Sequence, residues 1–186
     1  SRLEIAYDMR PNRRLQLLTD VRFSTMATYM YEDAVKLPVA LFVVELLTTV
    51  ARHEHENRQL FEFVDASIDV LELDGEHTAN FHLVFMTMLT RLVGIAPDEE
   101  TYAAGSWLDL REGCFTLLRP AHQDVAQPEV ARRIALFLRG GFEGVAMPMN
   151  RDERNCCLDA LMDYYRLHLP SFPELKSVAI LRQLFQ

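Results

Sequence analysis

Long apolar segments are missing from this sequence. The longest uncharged apolar run, Leu37–Val44, is far shorter than the roughly 20 residues that a helix needs to cross a bilayer. The opening residues, SRLEIAYDMRPNRR, also lack the apolar region of a secretory leader. With a mean hydropathy of −0.02, the chain is expected to be soluble and cytoplasmic, with no membrane partner.

Cysteine is scarce as well. The three cysteines, Cys114 and the adjacent Cys156 and Cys157, match neither a disulfide framework nor the usual spacing of a zinc site. Adjacent residues of a helix point about 100° apart, so vicinal cysteines rarely bond to each other. This pattern favours a reducing compartment, and none of the three has an evident activating neighbour for covalent catalysis.

Recognisable active-site motifs are absent too. There is no Gly-rich phosphate loop, nucleophile elbow or HExxH sequence. The run RHEHEN contains His53 and His55, but side chains at i and i+2 of a helix diverge, so we interpret it as a solvated helix end. Asp98–Glu100 is interpreted as a surface loop, and Glu45 as a buried carboxylate paired with Lys36 or an arginine. The sequence therefore predicts no enzyme and no metal site.

An excess of positive charge is missing as well. With 27 acidic and 19 basic residues the net charge is −8, which predicts weak DNA binding unless the basic residues share one face. They collect at three places: Arg10, Arg13 and Arg14; Arg132, Arg133 and Arg139; and Arg166, His168, Lys176 and Arg182. Each group is either an ordinary solvated face or a local cationic patch for phosphate or an acidic peptide.

The first 23 residues predict a β-hairpin. RLEIAYDM and RLQLLTDVRF alternate roughly between apolar and polar residues, and the polar turn Arg10–Arg13 lies between them. Two strands alone are only marginally stable in water, so we expect further strands to pair with them.

Helical periodicity replaces this alternation from Pro38 to Val93. VALFVVELLTTVARH is apolar almost all round and predicts a central, buried helix that begins near Pro38. Asn57 is expected to cap a second helix, with Leu60, Phe61, Val64, Ile68 and Leu71 inward. A third helix is expected to end at Gly94, with Phe81, Val84, Phe85, Met88 and Leu92 on one face.

The middle of the chain predicts a small internal β-hairpin. In SWLDLREGCFTLL, Gly113 suits a positive-φ position of the turn. Its expected inward residues are Leu108, Leu110, Phe115 and Leu117. A short helix then follows from Pro128 and is ended by Gly140 and Gly141.

Two capping patterns stand near the carboxyl end. Asn150 and Glu153 predict the start of a long helix, which Pro170 ends. Ser171 and Glu174 have the same spacing, so we expect Ser171 to be the N-cap of a last helix. That helix is expected to turn inward Leu175, Val178, Leu181 and Phe185. The whole pattern predicts a mainly α fold, a helical bundle with a small internal β-hairpin.

Several phrases, in this order, resemble one known family. They are LFVVELL, HENRQLFEFVDASIDVLE, ANFHLVFMTMLTRLVGIAPD, WLDLREGCF and YYRLHLPSFPELKSVAILRQLF. Together they resemble the RecO family of bacterial recombination mediators, in its Bacteroides-like form, over nearly the whole chain. The resemblance implies that residues 1–25 are the last hairpin of an incomplete N-terminal OB-fold barrel and that residues 26–186 are the helical domain.

The resemblance also implies a function. RecO proteins act in DNA repair and homologous recombination, where they bind DNA, anneal strands and help load RecA together with RecR. They contact the acidic, apolar-ended C-terminal tail of single-stranded-DNA-binding protein. Expected tail contacts here are Arg166, Lys176 and Arg182, while Arg10, Arg13 and Arg14 are expected to contact DNA, which otherwise binds the barrel.

One departure from the family concerns zinc. Many RecO proteins carry two CxxC pairs around the position of WLDLREGCF, and here only Cys114 remains, so zinc is not expected. An alternative of a different class is a stand-alone helical interaction or ligand-binding domain. That alternative predicts a deep pocket with converging polar groups and shifted pKa values.

Overall fold

The computed structural model describes residues 2–13, 15–26, 29–51, 57–73, 75 and 77–184. It has the mainly α fold that the sequence predicts, with small antiparallel sheets. The strands are β1 (Arg2–Asp8), β2 (Leu17–Thr25), β3 (Trp107–Asp109), β4 (Cys114–Thr116) and β5 (Val125–Ala126). The helices are α1 (Tyr29–Glu32), α2 (Lys36–Val50), α3 (Arg58–Leu73), α4 (Phe81–Leu92), α5 (Pro128–Gly140), α6 (Arg151–His168) and α7 (Ser177–Leu184). Within the described residues, no helix is both long and apolar enough to cross a membrane.

The predicted N-terminal hairpin is confirmed, and one of its faces is apolar. β1 and β2 pair antiparallel, and directly opposed residues share a face. The opposed apolar pairs are Leu3 with Phe23, Ile5 with Val21 and Tyr7 with Leu18. These six side chains are between 46% and 67% exposed, so the described part of the chain leaves this face largely uncovered.

An acidic edge of α3 attaches the hairpin to the helices. The guanidinium of Arg2 donates to Asp65 and, at 2.8 Å, to Asp69. Glu72, further along α3, accepts hydrogen bonds from the backbone N–H groups of Tyr29 and Met30 at 2.8 and 2.9 Å. Polar contacts from a single helix therefore hold both the first strand and the start of α1.

The central helix is α4 rather than α2, contrary to the sequence prediction. Phe81–Met86 is buried without interruption, and α4 contacts α2, α3, α5 and α6. On α2 only one side is buried, while Leu41 and Val44 are 55% and 59% exposed. The prediction failed because an apolar composition does not specify which helix the others surround.

The cap predicted for α3 is confirmed, whereas two of the side chains predicted to lie inward are exposed. Asn57 caps α3 by accepting the Leu60 N–H at 3.0 Å. Phe61, predicted to lie inward, is 71% exposed and lines an open pocket beside Leu3 of the hairpin. Leu117 is 66% exposed because β4 ends at Thr116 and the chain then bends away from the core. Phe185 lies outside the described residues.

The internal hairpin is confirmed and gains a third strand. β3 lies between β4 and the two-residue β5, which is too short to leave a pattern in the sequence. Gly113 has a φ of +65°, as predicted for the turn. A Cβ atom on Gly113 would lie 2.6 Å from the hydroxyl of Tyr164, so the turn needs glycine for two reasons.

The two predicted capping boxes have opposite outcomes. Asn150 and Glu153 form one at the start of α6. The prediction for Ser171 is wrong, since this residue has a φ of +57° and α7 begins only at Ser177. Residues 169–176, which include Pro170 and Pro173, form a turn and an extended segment instead of a helical first turn.

Candidate partner-binding groove

An open groove of about 860 Å³ separates α6 from α7. The groove exists because α7 packs mainly on α2 and not on α6. The non-helical segment that follows α6 leads the chain away from the end of α6 before α7 begins. Leu175 and Leu181 are buried and fix this placement of α7. The groove is therefore a consequence of where the last helix is anchored.

The anchor of α7 is the carboxylate of Glu45 on α2. It accepts the backbone N–H groups of Lys176 and Ser177 at 3.0 and 2.9 Å and the hydroxyl of Ser177. Partial burial acts to raise the pKa of Glu45, but the hydrogen bonds from Ser177 and Lys176 outweigh it and lower that pKa. An ionised Glu45 thus caps the positive end of α7, as an N-cap side chain would.

This capping corrects the sequence interpretation of Glu45. The partner of Glu45 is a helix N-terminus, not Lys36 or an arginine. Lys36 is buried elsewhere and donates its ammonium to the carbonyl oxygen of Glu72 at 2.8 Å. The contact of Glu45 with Ser177 joins residues 132 positions apart, so no local pattern could have predicted it.

The structure brings Arg166, Lys176 and Arg182 together along the groove. Arg166 comes from α6, Arg182 from α7, and Lys176 from the residue just before α7. The apolar part of the lining consists of Met162, Leu175, Val178 and Ala179. The groove thus combines cationic side chains with apolar surface.

Both arginines already have acidic partners from α6. Arg166 donates to Asp163 at 2.8 Å, three residues earlier on the same helix, and Arg182 crosses the groove to Asp159. All four side chains are about half exposed. Lys176 is exposed, and among the described residues no acidic side chain lies within ion-pair distance of it. The lining residue Glu174 brings the formal charges to three positive and three negative.

Sequence reasoning missed these acidic residues. The Asp163–Arg166 pair had a signal, because residues three apart on a helix are neighbours. The Asp159–Arg182 pair had none, because it joins two helices through tertiary packing. Without the acidic partners, the end of the chain looked more cationic than it is.

Two of the residues expected to contact DNA, Arg10 and Arg13, lie at the other end of the chain, on the turn of the first hairpin. Arg10 and Arg13 are exposed there, and Gln16 bonds to the backbone of both. The guanidinium of Arg10 is 3.7 Å from the carboxylate of Asp8. Arg14 lies outside the described residues.

In the remaining basic group, Arg132, Arg133 and Arg139, the last two residues are occupied by contacts within the helical body. Arg133 pairs with Glu153. Arg139 donates to the carbonyl of Glu99 at 3.1 Å and lies 5.3 Å from the centre of the Tyr102 ring. Neither residue lines the groove between α6 and α7.

Groups with shifted pKa values lie in the core or at structural contacts. Burial lowers the pKa of His82 to about 3, with a smaller contribution from Arg154, and raises the pKa of Cys157 to about 12. Burial and neighbouring carboxylates raise the pKa of Cys114. Among the described residues no cluster of three His, Cys, Asp or Glu could hold a metal ion; His53 and His55 lie outside them.

A second pocket bears on the ligand-binding alternative. A cavity of about 290 Å³ opens between α1, α2 and α3 and is lined almost entirely by apolar side chains. Its polar lining groups are Ser67 and Tyr31, and the hydroxyl of Ser67 already donates to the carbonyl of Phe63 at 2.6 Å. It does not offer the converging polar groups that the alternative predicts.

Comparison with known proteins decides the family. The family model described as "Recombination protein O C terminal" matches residues 31–178. The chain belongs to the RecO family. A protein from Phocaeicola vulgatus named DNA repair protein RecO is 38% identical over 186 residues, which are 100% of this chain and 77% of the relative. No solved structure matches significantly.

Further RecO relatives agree with this assignment. The DNA repair protein RecO of Bacteroides fragilis is 39% identical over 98% of this chain and 76% of its own length. That of Porphyromonas gingivalis is 36% identical over the same shares. The resemblance noted in the sequence is thereby confirmed, and membership of the RecO family indicates a role in DNA repair and recombination.

Proposed function

We propose that this chain is the helical, partner-binding part of a RecO-type mediator, which acts with RecR to anneal strands and load RecA at the nucleoid. In this proposal the groove between α6 and α7 receives the acidic C-terminal tail of single-stranded-DNA-binding protein. One observation carries it: Arg166, Lys176 and Arg182, chosen from the sequence, line a single groove beside apolar side chains.

The chemistry of such a tail suits the lining. Carboxylates of the tail would pair with Lys176 and the arginines, since charged hydrogen bonds give orientation as well as attraction. The apolar end would lie against Met162, Leu175 and Val178. At about 860 Å³ the open groove has room for several residues of an extended peptide.

Fluorescence anisotropy with a labelled peptide tests the proposal. The peptide carries several consecutive aspartates and a terminal phenylalanine, and it is titrated against the chain at low salt. We expect Lys176→Glu to weaken binding about tenfold or more, because it replaces attraction with repulsion in the groove. Arg58→Glu is the matched control, since Arg58 is an exposed base on α3, away from the groove.

The outcome of this titration is decisive. If wild type and the Arg58→Glu control bind alike and Lys176→Glu does not, the groove is the site. Equal binding by all three proteins would show that the peptide binds outside this groove. Absence of binding by the wild type at low salt would refute the proposed function.

A second part of the proposal concerns the hairpin and DNA. We propose that β1 and β2 are the last two strands of an OB-fold barrel and that the exposed face with Leu3, Ile5 and Phe23 belongs to its core. Arg10 and Arg13 on the connecting turn, together with Arg14, would then contact phosphates. Such contact makes affinity depend on salt: the slope of log affinity against log salt concentration becomes more negative by about one for each phosphate neutralised.

Oligonucleotide binding across a salt series tests the second part. We expect the triple change of Arg10, Arg13 and Arg14 to alanine to lower the salt slope by about two to three. The exposed Arg22, paired with Asp20 on β2, provides a control replacement. A slope that stays the same in the triple variant would show that these arginines do not contact phosphate.

A further inference from the structure

Two aspartates occupy the arginines of the proposed site. Asp159 and Asp163 are one turn apart on α6, and both line the groove. Asp159 holds Arg182 of α7, and Asp163 holds Arg166. A carboxylate that enters the groove therefore meets arginines whose hydrogen-bonding groups are partly in use.

The two ion pairs are weak enough to be exchanged. Their side chains are 45–55% exposed, and ion pairs in contact with solvent contribute little because water and salt screen them. The backbone of α6 that carries the aspartates is well anchored, because Leu158, Leu161 and Tyr165 are buried in the core. Displaced aspartates would thus stay beside the ligand and repel its acidic groups.

We infer that Asp159 and Asp163 are internal competitors that set the selectivity of the groove, an inference that rests on the proposed function. They keep the formal charge of the lining at zero, with three basic and three acidic residues. A ligand that offers negative charge alone gains little there, whereas a ligand that also buries an apolar end against Met162, Leu175 and Val178 gains from the apolar surface. The aspartates thereby discriminate against polyanions such as nucleic acid.

Removal of the aspartates should strengthen binding, the opposite of what loss of a ligand contact does. Asp159→Asn and Asp163→Asn retain the size of each side chain and release one arginine each. We expect each to tighten binding of the acidic peptide about twofold to fivefold, the range that a solvent-exposed ion pair corresponds to. A peptide without its terminal phenylalanine should gain at least as much, so the preference for the apolar end should stay equal or fall.

Two control variants separate release of an arginine from a general change in charge. Glu174→Gln removes one negative charge from the lining, and the structure records no ion pair for Glu174 among the described residues. Glu62→Gln frees Arg58 on α3, away from the groove. We expect Glu174→Gln to have a smaller effect than Asp159→Asn and Glu62→Gln to have none.

Anisotropy titration of both peptides and of a short single-stranded oligonucleotide completes the test. Tighter peptide binding by Asp159→Asn, Asp163→Asn and the double variant supports the inference, together with tighter oligonucleotide binding when the double change is made in a background with alanine at Arg10, Arg13 and Arg14. Unchanged or weaker peptide binding overturns it, since the aspartates would then be neutral or would position the arginines. If wild type binds and the variants gain nothing, only this inference fails; if neither wild type nor variants bind, the proposed function fails with it.

Discussion

Replacement of Gly113 by alanine tests the packing of the internal hairpin against α6. Two costs add at this position. A left-handed backbone, here with φ +65°, costs a residue with a Cβ atom about 1–2 kcal/mol. The new Cβ would also lie 2.6 Å from the hydroxyl oxygen of Tyr164, and relief of such overpacking costs about 1–3 kcal/mol. We therefore expect Gly113→Ala to lower the free energy of unfolding by about 2–5 kcal/mol, measured by urea denaturation.

A double-mutant cycle separates the two costs. Tyr164→Phe removes the clashing oxygen and leaves the ring carbon Cζ 3.7 Å from the new Cβ, an ordinary contact. Alone it loses the 2.7 Å hydrogen bond to the carbonyl of Ile95, which costs about 0.5–1.5 kcal/mol. The double variant should be less destabilised than the sum of the single changes by about 1–3 kcal/mol.

Gly105 is the matched control for this cycle. Its φ is +83° and no atom lies within 4 Å of a Cβ placed on it, so Gly105→Ala should cost only the conformational part, about 1–2 kcal/mol. Equal costs for the two alanine variants, or strict additivity of Gly113→Ala with Tyr164→Phe, would contradict the described contact.

Two further predictions concern the polar anchors of α7 and the hairpin. Glu45→Gln should destabilise the chain by about 1–2 kcal/mol at pH 7, because it removes the charge that caps α7. Since the folded state lowers the pKa of Glu45, this stabilisation is present above its ordinary pKa near 4.5 and is lost at lower pH. In urea titrations, the free energies of unfolding of wild type and variant should therefore converge as the pH falls from 6 to 3. A constant difference over that range would exclude the charge as the cause. Arg2→Ala should speed amide hydrogen exchange in β1 and β2 and leave exchange in α4 unchanged, because Arg2 joins the hairpin to Asp65 and Asp69. Arg22→Ala is a control within the hairpin and should not detach it. Equal exchange rates in the two variants would contradict the role of Arg2 as an anchor.

Local patterns predicted those parts of the fold that local chemistry determines. Alternation and a polar turn predicted the first hairpin, and Asn57 and Asn150 predicted two helix starts from side chains that reach only three residues. Gly113 predicted a turn, because a positive φ leaves few alternatives to glycine.

Features that depend on distant residues could not be predicted in this way. Ser171 had the spacing of a cap, but Glu45 provides the cap and so moves the start of α7 to Ser177. Leu41 and Val44 have the composition of buried residues, yet α4 takes the central position. In the groove, the basic residues could be chosen by charge, whereas Asp159 became visible only through the packing of α6 against α7.

Cross-linking at Lys176 tests the proposed site most directly. The chain has only two lysines, and the other, Lys36, is buried with 4% of its surface exposed. A carbodiimide joins a carboxylate to an amine only when the two are in contact. With an N-acetylated acidic peptide that ends in an apolar residue, we predict one main adduct at Lys176, identified by peptide mass spectrometry. Lys176→Arg should abolish this adduct and retain peptide binding, because arginine keeps the charge and does not react. Saturating peptide binding without an adduct at Lys176, or with the adduct elsewhere, would contradict the placement of the partner tail between α6 and α7.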